Sequence, residues 1–171
     1  MAVGVDGSGE DVDAAVWTSP DGFTWSRVVD QEGLSEHGFQ MMMSVTAGGP
    51  GLVAVGVDET SVVETSAAVW VSPDGITWTR VSEGELFEVG SQEMRSVTAG
   101  GSGLVAVGVA EAGTAIWEST DGVAWTRVPL AAAVGHRELD AVTTGESALV
   151  AVGSITLLGR DADAAVWWKS R

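Results

Sequence analysis

The 171-residue chain has no cysteine and no tyrosine, only two histidines and four prolines, and eight basic residues against 24 acidic ones. Without cysteine there are no disulfides or thiolate metal sites, and the chain carries no redox mark of its compartment. Two histidines, His37 and His136, cannot complete a typical zinc site. A formal net charge of -16 repels phosphate backbones and anionic lipid surfaces, which argues against nucleic-acid and membrane partners. The excess reads first as a solubility device and second as a match for a basic or cationic partner. No apolar run approaches the ~20 residues of a membrane span. The opening Met1-Ala2-Val3-Gly4-Val5-Asp6 has neither the basic start nor the long apolar core of an export signal. The chain is therefore expected to be soluble, with no signal peptide of its own and an extracellular location left open.

What is abundant is valine, alanine and 23 glycines, within a chain that is 45% hydrophobic but only 6% aromatic. Such a composition favours strands over helices. It is arranged as a repeat. Gly38 to Gly49 matches Gly90 to Gly101, with a weaker copy from Gly135 to Gly145. Leu52-Val53-Ala54-Val55-Gly56 returns at Leu104 to Gly108 and Leu149 to Gly153, with Ala2-Val3-Gly4 as a fourth relative. Ala-Ala-Val-Trp stands at 14 to 17, 67 to 70 and 164 to 167, and Thr114-Ala115-Ile116-Trp117 replaces it once. A last run reads Phe23 to Val28, Ile76 to Val81 and Val123 to Val128.

Each unit thus holds four short strand-like runs. The second is apolar on both faces, as a strand covered above and below must be. The last alternates, with Thr77 and Thr79 opposite Ile76 and Trp78, as suits a strand near the rim. Repeated four-stranded units of ~40 to 50 residues predict an all-β chain, a β-propeller built of four-stranded antiparallel blades. The boundaries are a partial unit 1–28, full blades 41–81 and 93–128, and a partial unit 139–169, giving fourteen strands in one domain. The first unit lacks its inner strand and the last its outer one, so the ring is incomplete. Two chains joined head to tail, a small four-unit ring, or a piece of a longer propeller would each resolve this, and the homo-oligomer, a dimer, is favoured.

Between the third and fourth runs stands a recurring turn, Ser19-Pro20-Asp21-Gly22, Ser72-Pro73-Asp74-Gly75 and Ser119-Thr120-Asp121-Gly122, followed three residues after the glycine by Trp25, Trp78 and Trp125. Proline presets φ for a turn, aspartate bonds the turn's own backbone, glycine accepts the left-handed conformation, and the tryptophan is expected to bury against its blade. The pattern resembles the Asp-box of sialidase-like (BNR) propellers, although it lacks one residue of that family's usual spacing around the glycine. The resemblance covers three of the four units. It implies a structural role for Ser19, Asp21, Gly22, Trp25, Ser72, Asp74, Gly75, Trp78, Ser119, Asp121, Gly122 and Trp125.

Sialidase-like catalysis would also call for a tyrosine nucleophile, which the chain lacks. Arg27, Arg80 and Arg127 occupy one equivalent position and are expected to pair with acids of neighbouring hairpins rather than form a substrate cluster. No catalytic or organic-cofactor residue is assigned. The best ion candidates are Asp11 and Asp13, mirrored by Asp161 and Asp163, whose alternate carboxylates suit calcium without completing a calcium loop. Of Met41, Met42 and Met43, two are expected in the core. The function this supports is a non-catalytic structural or binding scaffold with an unknown ligand, its variable connections 29–40, 81–93 and 129–138 carrying recognition. The competing expectation is a piece of a larger secreted sialidase-like glycoside hydrolase.

Overall fold

Valine-rich runs punctuated by glycine turns form strands throughout the computed structural model, which describes residues 1–29, 31–59, 65–82, 90–111, 113–130, 136–157 and 161–170. Among these residues there are fourteen strands and no helix. They make four antiparallel sheets in chain order. The first holds β1 (Ala2–Asp6), β2 (Asp13–Thr18) and β3 (Ser26–Arg27), and the second β4 (Phe39–Gly48), β5 (Gly51–Glu59), β6 (Ser66–Ser72) and β7 (Thr79–Arg80). The third holds β8 (Gln92–Gly100), β9 (Gly103–Ala110), β10 (Gly113–Ser119) and β11 (Thr126–Arg127), and the fourth β12 (His136–Thr144), β13 (Ala148–Thr156) and β14 (Ala162–Ser170). Every neighbour in a sheet is also a neighbour in sequence, so all connections within a sheet are hairpins. The connections 29–40, 81–93 and 129–138 lie partly outside the described residues.

Each sheet packs face to face on the next, and the same repeat positions recur at each junction. Between the first and second sheets, Ala14, Val16 and Val28 meet Met42, Ala54, Ala68, Trp70 and Trp78. Between the second and third, Val53, Val55, Val69 and Val81 meet Met94, Ala106, Ala115, Trp117 and Trp125. Between the third and fourth, Val107 and Ile116 meet Leu139, Val142, Ala151 and Trp167. Period-two alternation sends successive side chains of each strand to opposite neighbours. The middle strands of the second and third sheets are consequently buried on both faces, with Val53, Ala54 and Val55 all at 0% exposure.

The last run differs from its expected six-residue strand. Only two residues pair in each case, Ser26–Arg27, Thr79–Arg80 and Thr126–Arg127. The turn aspartate takes the preceding backbone amides for itself, which removes them from the ladder. Ile76 is 62% exposed as a result, while Trp78 on the same expected face is buried. The methionine run differs too, since only Met42 is buried and Met43 stands exposed at a bulge.

That bulge recurs. The register shifts between Met42 and Ser44, between Met94 and Ser96, and between Leu139 and Ala141. Opposite each shift is a glycine, Gly56, Gly108 or Gly153, where a Cβ would overlap the carbonyl oxygen of Met41, Glu93 or Glu138. Glycine is required there because the partner backbone occupies the side-chain space. Among the described residues no helix is long and apolar enough to cross a membrane.

Candidate functional site

The Ser-x-Asp-Gly turn is built from bonds that close within a few residues. In the first copy the Ser19 hydroxyl oxygen accepts the Gly22 amide at 2.8 Å, and the hydroxyl donates to Asp21 Oδ1 at 3.1 Å. Asp21 Oδ1 accepts the amides of Phe23 and Thr24 at 2.8 and 2.7 Å, and Oδ2 accepts the Thr24 hydroxyl at 3.1 Å. The indole N–H of Trp25 donates to the Gly22 carbonyl at 3.2 Å, which fixes the ring over the turn. Asp74 repeats this network with Ser72, Ile76, Thr77 and Trp78. Asp121 repeats it with Ser119, Val123, Ala124 and Trp125, except that Ala124 has no hydroxyl to offer. Gly22, Gly75 and Gly122 have φ of 79°, 79° and 81°, the left-handed conformation the sequence required.

These bonds set the electrostatics. The amides of Thr24 and Phe23 hold the Asp21 carboxyl down to about 2. Amides of Thr77 and Ile76 lower Asp74, and those of Val123 and Ala124 lower Asp121. A carboxylate held ionised by its own backbone has no proton to give near neutrality. The bonds of the turn close on the turn itself.

Beside the second turn, Arg80 lies with its guanidinium 5.0 Å from the centroid of the Trp70 ring and donates to Asp58 Oδ2 at 2.8 Å. Arg27 meets Asp6 in the equivalent way at 3.0 Å. The acid belongs to the hairpin on the far side of the central strand of the same sheet. Arg80 also borders an open groove of about 360 Å³ with Gln31, Glu32, Gly33, Glu36, Trp78 and Thr79. Nothing in the repeat pattern marks Gln31, yet its side chain donates to the Ile76 carbonyl at 2.8 Å and accepts the Trp78 amide at 2.7 Å. It clamps the connection after the first sheet onto the turn of the second.

A second charged group draws its members from different units. At the bulge of β8, Arg95 donates to Glu138 at 2.8 Å and Asp140 at 2.7 Å on β12, and lies 3.5 Å from Glu93. Burial works against the Arg95 charge, but the Glu138 bond, the Glu93 charge and the Asp140 bond outweigh it and raise its pKa. The Arg95 bond and then the His136 bond lower the Glu138 carboxyl. With three carboxylates around it, this arginine is spent on joining the third and fourth sheets. The sequence signal that points to it is the shared bulge position of Met43, Arg95 and Asp140.

The calcium candidates fall beside the first and fourth sheets. Asp11 shares a hydrogen bond with Nδ1 of His37 at 3.1 Å, and Asp13 opens β2 opposite Asp6. Asp161 precedes β14 and Asp163 faces Ile155 within it. Among the described residues no group of three or more His, Asp or Glu side chains is placed to hold a metal. His37 is exposed beside Asp11, and His136 is 3.0 Å from Glu138 at the start of β12. Among the described residues neither imidazole is bonded to a serine hydroxyl, as nucleophilic catalysis would need.

Comparison of the chain with known protein families, curated proteins and solved structures finds no match. The likeness to the Asp-box therefore rests on the turn residues themselves.

Proposed function

We propose that this protein is a non-catalytic scaffold of β-propeller type, in which the stacked sheets serve as blades and the connections between them present a surface to a ligand or another protein. One observation carries the reading. The residues kept in every copy of the motif direct their polar atoms to their own turn, and Trp78 and Trp125 pack on the neighbouring sheet, so repetition serves architecture. The absence of tyrosine from the chain and the enclosure of Arg95 by carboxylates point the same way. Scaffolds of this kind carry function on connections held by a rigid frame.

The test is a turnover assay with a panel of fluorogenic glycosides, sialosides included, alongside a thermal-shift screen of glycans, basic peptides and calcium. A scaffold shows no turnover and a shift in melting temperature with a binding partner. Catalytic turnover that survives repurification would overturn the reading.

A further inference from the structure

Each internal junction joins a following face, formed by the Val53, Val55 and Val69 positions, to a preceding face, formed by the Ala54, Trp70 and Trp78 positions. Among the described residues, one face of each kind has no neighbour. On the fourth sheet, Val150 pairs with Trp168 and Val152 with Val166, which lines all four side chains along the face turned away from the third sheet. Val152, Val166 and Trp168 are 42%, 66% and 74% exposed, whereas Val55 and Val69 at the repeat-equivalent positions are at 0%. On the first sheet, Trp25 is 45% exposed, while its counterparts Trp78 and Trp125 are at 3% and 2%. A Cβ on Gly22 would meet nothing within 4 Å, whereas one on Gly122 would touch Val53, Leu104 and Pro50. The Arg27–Asp6 pair is likewise more open, at 31% and 21%, than Arg80–Asp58 at 9% and 6%.

We infer that the two open faces are the halves of a fourth junction, made between two copies of this chain joined head to tail. Trp25 of one copy then takes the place against Val152, Val166 and Trp168 of the other that Trp125 takes against Val53 and Val69 within the chain. The occupant is a second copy because the first sheet of this chain carries the kind of face that seats on such a surface at each internal junction. The only preceding face left open among the described sheets is the chain's own first sheet, and three internal junctions establish how it seats. The contact is heterologous, so two copies can make it twice and close a ring. Two chains of net charge -16 must approach, so salt strengthens the association by screening. This inference rests on the scaffold reading for its geometry.

Light scattering coupled to size exclusion, across a dilution series, is the experiment, with wild type, Trp25→Glu and Val166→Glu. Both substitutions fall on exposed positions, and circular dichroism checks that each variant is folded. Wild type is expected at twice the chain mass, and each variant as a folded monomer with its dissociation constant raised roughly 30-fold or more. Mixing the two variants should restore a two-chain species, since one has an intact fourth-sheet face and the other an intact first-sheet face. A folded wild-type monomer at every concentration, or a dimer indifferent to both substitutions, overturns the inference and leaves the scaffold reading in place. A mixture that does not associate overturns the head-to-tail pairing. Catalytic turnover by the dimer would overturn the scaffold reading alone.

Discussion

Replacing Trp125 by alanine probes the junction between the second and third sheets directly. The ring is 2% exposed and sits in the cluster containing Val53, Val69, Ala106 and Trp117. An aromatic side chain buries roughly 150–250 Å², which at about 25 cal/mol per Å² is worth about 4–6 kcal/mol against an extended chain. Partial burial in the unfolded ensemble trims this, and buried tryptophan-to-alanine changes cost about 3–5 kcal/mol. Set against a domain stability of about 5–15 kcal/mol, such a loss is a large fraction of the whole. Urea unfolding followed by far-ultraviolet circular dichroism measures it without relying on the fluorescence of the residue removed. Val123→Ala, on the same hairpin but 43% exposed, is the control, expected to cost under about 0.5 kcal/mol. Trp78→Ala should resemble Trp125→Ala, since both rings are seated on the preceding sheet. If Trp125→Ala moves the urea midpoint no more than Val123→Ala, the sheets are not packed through this position and the derivation of the fold from its repeats fails.

Three further outcomes are expected. Arg80→Ala strands Asp58 in a site where it is only 6% exposed and should cost about 3–5 kcal/mol, whereas Arg27→Ala should cost at most about 1 kcal/mol in the monomer; equal urea midpoints would contradict the difference in burial. Gly108→Ala drives a methyl group into the Glu93 carbonyl and should destabilise by about 1–3 kcal/mol or more, while Gly145→Ala, whose nearest neighbour would be the Ala148 oxygen at 3.7 Å, should be near neutral by the same titration. The native carboxyl pKa values of the three turn aspartates are depressed, so their stabilisation is whole above the unfolded value near 3.9 and is lost as pH falls through the native values. The gap in melting temperature between wild type and the Asp21→Asn, Asp74→Asn, Asp121→Asn triple variant should therefore narrow from about pH 4 to about pH 2, and a constant gap would refute the assignment.

The turns are legible in the sequence because every partner of Asp21, Asp74 and Asp121 lies within three residues. Strand existence is legible for the same reason, since period-two patterning and glycine punctuation act locally. The length of the last strand is not, because two local demands compete there, the ladder and the aspartate for the same amides, and the closer acceptor wins. Arg95 escapes a reading of the repeats because two of its three carboxylates, Glu138 and Asp140, stand 43 and 45 residues away on another sheet. Gln31 escapes it likewise, its partners Ile76 and Trp78 being 45 and 47 residues distant.

By itself the sequence determined the repeat, the four-run unit, the left-handed glycines and the self-bonded aspartate turns, all of which depend on residues near one another along the chain. Only the tertiary structure decided which copy of each residue is buried. Trp25, Trp78 and Trp125 share a motif and a local geometry, yet one is 45% exposed and the others 3% and 2%. Burial is a property of the neighbouring sheet, and whether a sheet has a neighbour is written in no single repeat.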